Sequence, residues 1–161
     1  MKKAALLLLL SCVSACQAET KPTGDPFERV FAAISSGKIF STPFHALLRQ
    51  LDPLCTLNKS SDVDKDGNVA CAKETGIEAM DVTGTATPSM TIVTATFAGL
   101  ERCAYLRQAL TRQYGKPRDS SGACSAHWKI KPGKNGRQRT VGFESAKNGA
   151  RVYFSIAEEQ G

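Results

Sequence analysis

The stretch at residues 89–114, SMTIVTATFAGLERCAYLRQALTRQY, places a strand pattern directly before a helix pattern. Residues 89–97 alternate and are rich in β-branched side chains, which is typical of a strand with one buried face. In residues 100–114 apolar side chains recur every three or four positions, and Gly115 and Pro117 end the pattern. The stretch therefore predicts a strand followed by a helix and favours an α+β fold.

Three further strands are predicted after this helix, at residues 126–131, 139–144 and 151–156. The segments between them, PGKNG at 132–136 and NG at 148–149, are strong hairpin signals. Strands joined by such short turns pair in the antiparallel sense. The C-terminal half is therefore predicted to be a helix followed by a three-stranded antiparallel meander.

Two helices are predicted before these elements. Asp25 is a capping residue, Pro26 suits the first helical position and Glu28 supplies an early acid, so one helix begins here and ends before Gly37. A second helix is predicted within residues 42–53, between two prolines. Weaker strand patterns follow at residues 68–72 and 77–82. The predicted α+β fold thus has two N-terminal helices, then strands, a helix and the meander.

The N-terminus has the features of an export signal. Lys2 and Lys3 precede a leucine-rich run that is too short to span a bilayer. Residues 13–16, VSAC, resemble the lipobox of bacterial lipoproteins, in which the cysteine is lipidated and becomes the new N-terminus. This resemblance implies that Cys16 carries the lipid. It also implies sorting to the outer membrane, because Gln17 is similar to residues found at that position in lipoproteins of that membrane.

Two other processing sites are weighed against Cys16. Processing at Cys12 would leave an apolar run of only about eight residues, at the low end for export signals, so Cys16 is preferred. Cleavage after Ala18 would discard both cysteines and release a soluble periplasmic protein. With Cys16 first in the mature chain, the predicted parts are a signal peptide at 1–15, a lipidated cysteine and flexible tether at 16–25, and one domain at 26–158.

The remaining cysteines are Cys55, Cys71, Cys103 and Cys124. An even number of cysteines in an oxidising compartment predicts two disulfides. Three connectivities are open, and pairing of neighbours in sequence, Cys55 with Cys71 and Cys103 with Cys124, is favoured because each closes a short loop. The chain has no CxxC pair and no Cys/His zinc spacing, so thiol redox chemistry and a structural zinc are poorly supported.

The charges are unevenly distributed. Residues 17–100 hold seven Lys or Arg against ten Asp or Glu, whereas residues 101–161 hold twelve against five. In an exported protein, a basic surface suits acidic proteins, anionic lipids or cell-wall polymers better than nucleic acid. Alternatively, these side chains form a solvated surface without a partner. The predicted binding patch consists of Arg102, Arg107, Arg112, Lys116, Arg118, Lys129, Lys131, Lys134, Arg137 and Arg139.

Residues 62–69, DVDKDGNV, resemble the first part of an EF-hand calcium loop. Asp62, Asp64 and Asp66 fall at the first three ligand positions, and a glycine follows at the bend. The bidentate glutamate of position 12 is missing, because Lys73 lies there. The segment is interpreted either as a weak calcium site or as a polar turn that starts a hairpin. No other cofactor is predicted.

Common catalytic signatures are missing. The two histidines, His45 and His127, lie outside any HExxH, HxH or GxSxG context. His45 is interpreted as a surface residue of the second helix. His127 precedes Trp128 in a predicted strand, so one side chain of this pair faces the core and the other faces solvent. The sequence therefore favours a binding protein over an enzyme.

The C-terminal half resembles a known layout. A helix closed by YGKP at 114–117, a strand with Trp128 and two hairpin-linked strands look like small periplasmic lipoproteins, the BamE-like assembly factors among them. The likeness covers residues 100–156 and implies the order of these elements. It transfers no functional residue, because the N-terminal half and the four cysteines depart from BamE-like proteins.

Together these features predict a lipid-anchored, disulfide-bonded domain at the outer membrane that faces the periplasm and binds a protein partner. The leading hypothesis is an inhibitor or immunity protein against a secreted cell-wall hydrolase, since a small rigid scaffold with a one-signed surface can block another protein's cleft. The alternative is a structural or assembly lipoprotein that contacts peptidoglycan or outer-membrane machinery.

Overall fold

The chain folds as one antiparallel sheet with helices packed on one face. The computed structural model describes residues 24–62, 66–84, 90–134 and 136–159, and within these ranges it contains eight strands and three α-helices. The helices are α1 (Pro26–Ser35), α2 (Phe44–Leu51) and α3 (Cys103–Tyr114). The strands are β1 (Cys55–Asp62), β2 (Asp66–Cys71), β3 (Ile77–Gly84), β4 (Met90–Ala98), β5 (Asp119–Ser120), β6 (Ser125–Ile130), β7 (Arg139–Ser145) and β8 (Arg151–Glu158). The predicted α+β class is confirmed.

Helix α1 begins as its sequence predicts. The Asp25 carboxylate accepts a hydrogen bond from the backbone N–H of Phe27 at 2.8 Å and so caps the helix. Pro26 occupies the first helical position, where its missing N–H costs nothing. The large apolar side chains buried on this helix are Phe27, Val30, Phe31 and Ile34. A 3₁₀ turn at Gly37–Ser41, which the sequence pattern did not indicate, separates α1 from α2.

The strand order in the sheet is β1-β2-β3-β4-β8-β7-β6-β5. The N-terminal half, residues 26–98, and the C-terminal half, residues 103–158, each supply helical structure followed by four strands. The last strands of the two halves, β4 and β8, pair at the centre of the sheet. In this pair Ala95 lies opposite Phe154. The same topology therefore occurs twice, although the sequence shows no internal repeat. The pairing of β4 with β8 joins the two halves into one sheet.

Aromatic rings pack α1 onto this central pair. The ring centroids of Phe31 and Phe154 are 5.2 Å apart and those of Phe27 and Phe97 are 5.3 Å apart, both with edge-to-face geometry. Such pairs contribute about 0.5–1.5 kcal/mol beyond the burial of their area. Because Phe97 belongs to β4 and Phe154 to β8, α1 contacts both halves.

The other face of the sheet is not covered by a helix in the described part of the chain. Along β8, Val152, Phe154 and Ile156 are buried, whereas Tyr153 and Ser155 are exposed. Strand β6 alternates in the same way. We call this uncovered side the open face.

Two disulfides join neighbouring segments. Cys55 at the start of β1 bonds to Cys71 at the end of β2, and Cys103 at the start of α3 bonds to Cys124 just before β6. These are the two pairings that the sequence favours. The second disulfide ties α3 to the strands that follow it.

The sheet has more strands than the sequence predicts, because β1 and β5 lack a hydrophobic pattern. Of the first four side chains of β1, only Cys55 is buried, and both residues of β5 are exposed. These are the two outermost strands of the sheet. An edge strand buries little surface, so hydrophobic periodicity does not reveal it.

Asp25 also fixes the point where the chain enters the domain. Its carboxylate forms an ion pair with Arg102 at 3.1 Å, and the Arg102 guanidinium lies 4.1 Å from the centre of the Phe27 ring. Desolvation alone would raise the pKa of Asp25. Hydrogen bonds from the Phe27 N–H and from Arg102 outweigh it, so the pKa lies below its usual value. We call the region around Asp25 and Arg102, where the predicted tether would join the domain, the tether end.

The two disulfides should contribute similar amounts to stability. Their cysteines are 16 and 21 residues apart, and the chain-entropy model gives about 3 kcal/mol for loops of this size. The variants Cys55→Ser/Cys71→Ser and Cys103→Ser/Cys124→Ser should each lower the free energy of unfolding by about 2–4 kcal/mol in urea denaturation of the oxidised protein. A loss below about 1 kcal/mol in either variant would contradict this expectation.

Replacing Asp25 by Ala should lower the free energy of unfolding by about 1 kcal/mol at neutral pH, the usual loss for an N-cap. Because the folded protein lowers the pKa of Asp25, this contribution is present above the unfolded value of about 3.9 and is lost as the pH falls through the folded value. The difference between wild type and Asp25→Ala, measured by urea denaturation, should therefore shrink below about pH 4.

Ser36→Ala is the matched control, because the Ser36 hydroxyl caps the 3₁₀ turn by accepting from the Lys38 N–H at 3.3 Å and does not titrate. The stability lost in Ser36→Ala should not change over the same pH range. If the loss in Asp25→Ala were equally independent of pH, the carboxylate charge would have no part in holding α1.

Candidate functional site

The end of α3 and the end of β6 meet at one end of the domain. The Tyr114 hydroxyl donates to the Ser35 carbonyl at 2.6 Å, and the Trp128 indole donates to the Gly115 carbonyl at 2.8 Å. Burial raises the pKa of Tyr114 to about 12. These two bonds fix α1, α3 and β6 relative to one another.

Exposed lysines and arginines gather at this end. Those of the predicted patch are Arg112, Lys116, Arg118, Lys129, Lys131 and Lys134. Lys38 is a further exposed cation. It belongs to this end of the domain, because its neighbour Gly37 lies against Tyr114 and Ile130. We call these seven side chains the basic end. Lys38 was not part of the predicted patch, because it belongs to the less basic part of the chain and reaches this surface only through the fold.

Few carboxylates neutralise the basic end. Within the described ranges one ion pair involves its residues: Arg118 Nε lies 3.4 Å from Asp119, and the two side chains are 62% and 71% exposed. Exposed pairs of this kind contribute about 0–1 kcal/mol. The basic end therefore presents mainly solvated cations. Arg137 of the predicted patch is half-buried in the segment between β6 and β7.

Arg107 of the predicted patch is engaged inside the protein. Its guanidinium donates to the carbonyls of Gly122 and Ser125 at 2.7 and 3.0 Å, and so holds the segment before β6 against α3. Arg102 is likewise engaged, at the tether end. Hydrogen bonds from a charged donor are stronger than those between neutral groups. Both arginines therefore stabilise the fold.

Arg139 is the third arginine of the predicted patch with an internal role. Its Nε lies 2.8 Å from Glu158 Oε1, and its guanidinium lies 4.4 Å from the centre of the Phe40 ring. The two charged side chains are only 21% and 9% exposed. The pair joins β7 to β8 and contacts the 3₁₀ turn. The cationic surface is thus narrower than the predicted patch.

The basic end lies opposite the tether end. Helix α1 begins beside Arg102 and ends beside Tyr114, and α3 runs between the same two places. At 1.5 Å per residue, the lengths of these helices separate the two ends by about 15–18 Å. A chain that enters at Asp25 therefore leaves the basic end on the far side of the domain.

The acidic segment at residues 62–69 belongs to a hairpin. Asp62 and Asp66 are paired between β1 and β2, and Gly67 lies within β2, paired to β3. A hairpin is therefore present, but Asp66 and Gly67, which the hairpin interpretation placed at its turn, lie within β2. Asp64 and the side chain of Asp62 lie outside the described residues, so the weak calcium site stays a prediction. In the part of the chain that is described, no group of three or more His, Cys, Asp or Glu is arranged to hold a metal ion.

Both histidines are exposed. His45 lies on the outer side of α2, and His127 lies on the open face while Trp128 is buried, which confirms the predicted division of that pair. Asp119 lies opposite His127 in the β5–β6 pair. No hydrogen bond joins their side chains among the described residues, and the Asp119 carboxylate faces Arg118.

A shallow hollow lies on the open face across four strands. Its volume is about 280 Å³. The side chains and the glycine that shape it are Thr94, Thr96, His127, Gly142, Glu144, Tyr153 and Ser155. We call this the sheet hollow. The sequence analysis did not identify it, because its residues are scattered over β4, β6, β7 and β8. Hydroxyl residues at alternate positions of β4 are the signal that was present.

None of the helices in the described ranges is long and apolar enough to cross a membrane. Comparison of the chain with protein-family models, with curated proteins and with solved structures gave no match.

Proposed function

We propose that this protein is an exported lipoprotein that binds an acidic surface of a partner protein through the basic end. In the leading form of the proposal, it is an inhibitor or immunity protein that blocks a secreted cell-wall hydrolase. The observation that carries the proposal is the concentration of exposed, sparsely paired cations at the end of the domain opposite the tether end. Lipid on Cys16 holds the tether end at the outer membrane, and the basic end faces the periplasm.

The charge arrangement favours recognition of a partner by electrostatics. Positive charges gathered at one end of a small domain steer an acidic partner during its approach and repel basic proteins. The hydrogen bonds of Tyr114 and Trp128 and the Cys103–Cys124 disulfide hold the elements that carry these cations. Arg112 on α3 and Lys129 on β6 therefore lose little backbone freedom on binding, which is a cost that a rigid binder avoids.

The proposal includes no catalytic step. The groups beside the basic end that could exchange protons are His127 and Asp119, both of which are exposed. A catalytic base is oriented by a hydrogen bond from a second group, and Asp119 is directed to Arg118 instead.

The alternative proposal is a structural or assembly lipoprotein that contacts peptidoglycan or outer-membrane machinery. The order of α3, β6, β7 and β8 along the chain favours it, since this layout resembles the BamE-like assembly factors apart from the short β5 between α3 and β6. The two proposals differ in what retains the protein. Purified cell wall or an envelope assembly complex retains a structural lipoprotein, whereas a soluble hydrolase retains an inhibitor.

Charge reversal at the basic end should prevent partner capture. The variant Lys116→Glu/Lys131→Glu/Lys134→Glu changes three exposed side chains that make no ion pair in the described part of the chain. The full chain would be used as bait in envelope extracts at about 50 mM salt, where exposed charges are weakly screened. The wild type should retain a cell-wall hydrolase and slow its digestion of peptidoglycan. The variant should retain at least about tenfold less.

Arg49→Glu/Lys73→Glu/Lys147→Glu is the matched control, because it changes the net charge equally at exposed sites away from the basic end. It should retain the hydrolase as the wild type does. Raising the salt to about 500 mM should release the hydrolase from both. Equal retention by the two variants would exclude the basic end as the binding surface. Retention by purified cell wall alone would favour the structural proposal.

Lipid attachment should depend on Cys16 and not on Cys12. Cells grown with labelled palmitate should incorporate label into the wild type and into Cys12→Ser, and the protein should sediment with membranes. Cys16→Ser should lose the label, because the lipidated sulfur is missing. If Cys12→Ser lost the label and Cys16→Ser kept it, Cys12 would be the lipidated residue. A wild type without label would instead support cleavage after Ala18 and a soluble periplasmic protein.

A further inference from the structure

We infer that the sheet hollow binds a neutral sugar ring of a glycan, at a site separate from the basic end. Its lining comes from two neighbouring rows of side chains that cross the open face. One row runs from Thr94 through Ser155 and Gly142 to His127, and the other runs from Thr96 through Tyr153 to Glu144. The hollow is thus built on paired strands near the centre of the sheet, where the backbone is held on both sides.

Gly142 creates the depression. It lies in β7 between Ser155 of β8 and His127 of β6. Both of these neighbours carry a side chain on the open face, and Gly142 carries none. A Cβ at this position would collide with the His127 ring and would lie 3.0 Å from the Ala126 carbonyl. The imidazole therefore leans over the glycine and forms one wall of the hollow. A larger residue at 142 would fill the hollow and displace this wall.

The lining is rich in groups that form hydrogen bonds and poor in charge. Thr94, Thr96 and Ser155 provide hydroxyls, and each hydroxyl can donate once and accept twice. Among the described residues, these three hydroxyls have no hydrogen-bond partner within the protein. They are available to a ligand that offers hydroxyls of its own. An apolar ligand would displace their water without replacing those hydrogen bonds.

Tyr153 supplies an aromatic surface in the middle of these polar groups. Its side chain is 45% exposed, although it lies in a central strand with buried neighbours on both sides. A pyranose ring has one face of C–H groups and an edge of hydroxyls. The C–H face packs on an aromatic ring, and the hydroxyl edge bonds to side chains around it. Tyr153 and the hydroxyls around it match these two requirements.

The charges around the sheet hollow favour a neutral ligand over an ion. Glu144 lines the hollow and disfavours a phosphate or a carboxylate. Lys129 follows His127 on the same face of β6, and Arg151, two residues before Tyr153, is paired with Glu78. No set of like charges therefore converges on the hollow. The Glu144 carboxylate can instead accept hydrogen bonds from sugar hydroxyls.

A peptide strand is a poorer match to this place. Peptides that add to a sheet use the free backbone groups of an edge strand. The sheet hollow lies over β4, β8 and β7, each of which is paired on both sides. A ligand here is recognised through side chains alone. The volume of about 280 Å³ is just below the range of about 300–1,000 Å³ typical of sites for drug-sized ligands, which suits a single ring.

The test is an NMR titration of the full-length exported chain, extracted in detergent, with two neutral probes. The probes are chitotetraose and maltotetraose, whose rings are N-acetylglucosamine and glucose. At least one of them should shift the amide signals of Gly142, Tyr153 and Ser155 at concentrations up to about 10 mM, the range of weak binding. Tyr153→Ala should weaken binding at least about tenfold, because the stacking surface is lost.

Tyr153→Phe keeps the ring and should bind within about threefold of the wild type. Leu100→Ala is the matched control, since it removes another exposed large side chain, 38% exposed, that does not line the hollow. It should bind as the wild type does. Thr94→Val keeps the shape of the side chain and removes one hydroxyl, so it tests the site if Tyr153→Ala does not fold. It should weaken binding several-fold.

Several results would overturn the inference. One is the absence of any shift in the amide signals of Gly142, Tyr153 and Ser155 with either probe. Another is a set of shifts confined to the helical side of the sheet. A third is that Tyr153→Ala and Leu100→Ala weaken probe binding equally. The inference is independent of the proposed function. The variant with three reversed charges at the basic end should bind the probes normally, because Lys116, Lys131 and Lys134 do not line the hollow. Tyr153→Ala should in turn retain the captured protein.

Discussion

The contact of α1 with the junction of β4 and β8 holds the two halves of this protein together. The Phe31 ring lies 5.2 Å from Phe154 and 6.4 Å from Phe97, so one helix of the first half covers the last strand of both halves. Without the β4–β8 pair beneath α1, each four-stranded meander would end in an unpaired edge strand, which is a site for aggregation. The positions of both candidate surfaces follow from this junction. The basic end lies where α1 and α3 finish, and the sheet hollow lies behind the β4–β8 pair.

A single strand supplies both sides of this arrangement. Because successive side chains of a strand point to opposite faces, β8 places Phe154 in the core and Tyr153 and Ser155 on the open face. A shift of one residue in the β4–β8 register would exchange these sets, bury the hydroxyls and expose the phenylalanine. The apolar packing that stabilises the fold therefore also fixes the geometry of the sheet hollow.

The elements with local signals could be predicted from the sequence, and those that depend on distant pairing could not. The Asp25 cap, the Pro and Gly boundaries and the hairpin turns act over a few residues, and the helices and strands they mark are present. The sequences of β4 and β8 contain no signal that these two strands, about sixty residues apart, pair with each other. The sheet hollow depends on that pairing, so its residues had no joint pattern in the sequence.

The predicted basic patch illustrates the same limit at the level of single residues. Arg139 and Lys131 are both basic residues near a turn, and nothing in the sequence separates them. In the fold, Arg139 lies beside Glu158 and the Phe40 ring, whereas Lys131 is exposed. The difference arises from packing, since a guanidinium against a ring and a carboxylate is held while a solvated ammonium stays free to meet a partner. Net charge in the sequence therefore overestimates how many of these side chains stay exposed, because it does not show which of them are paired within the fold.

The direction of the strands determines whether both surfaces can be used together. Strand β6 begins beside Cys124 near the tether end and finishes near Gly37 at the basic end, so the open face runs along the axis that joins the two ends. The predicted tether of about nine residues would reach about 30 Å at full extension, and the helices add about 18 Å to the basic end. If lipid holds the tether end at a membrane, the basic end stands up to about 50 Å away from it, with the open face turned sideways. A protein partner at the basic end and a glycan chain along the open face would then approach from different directions, and neither surface needs to be released for the other to be occupied.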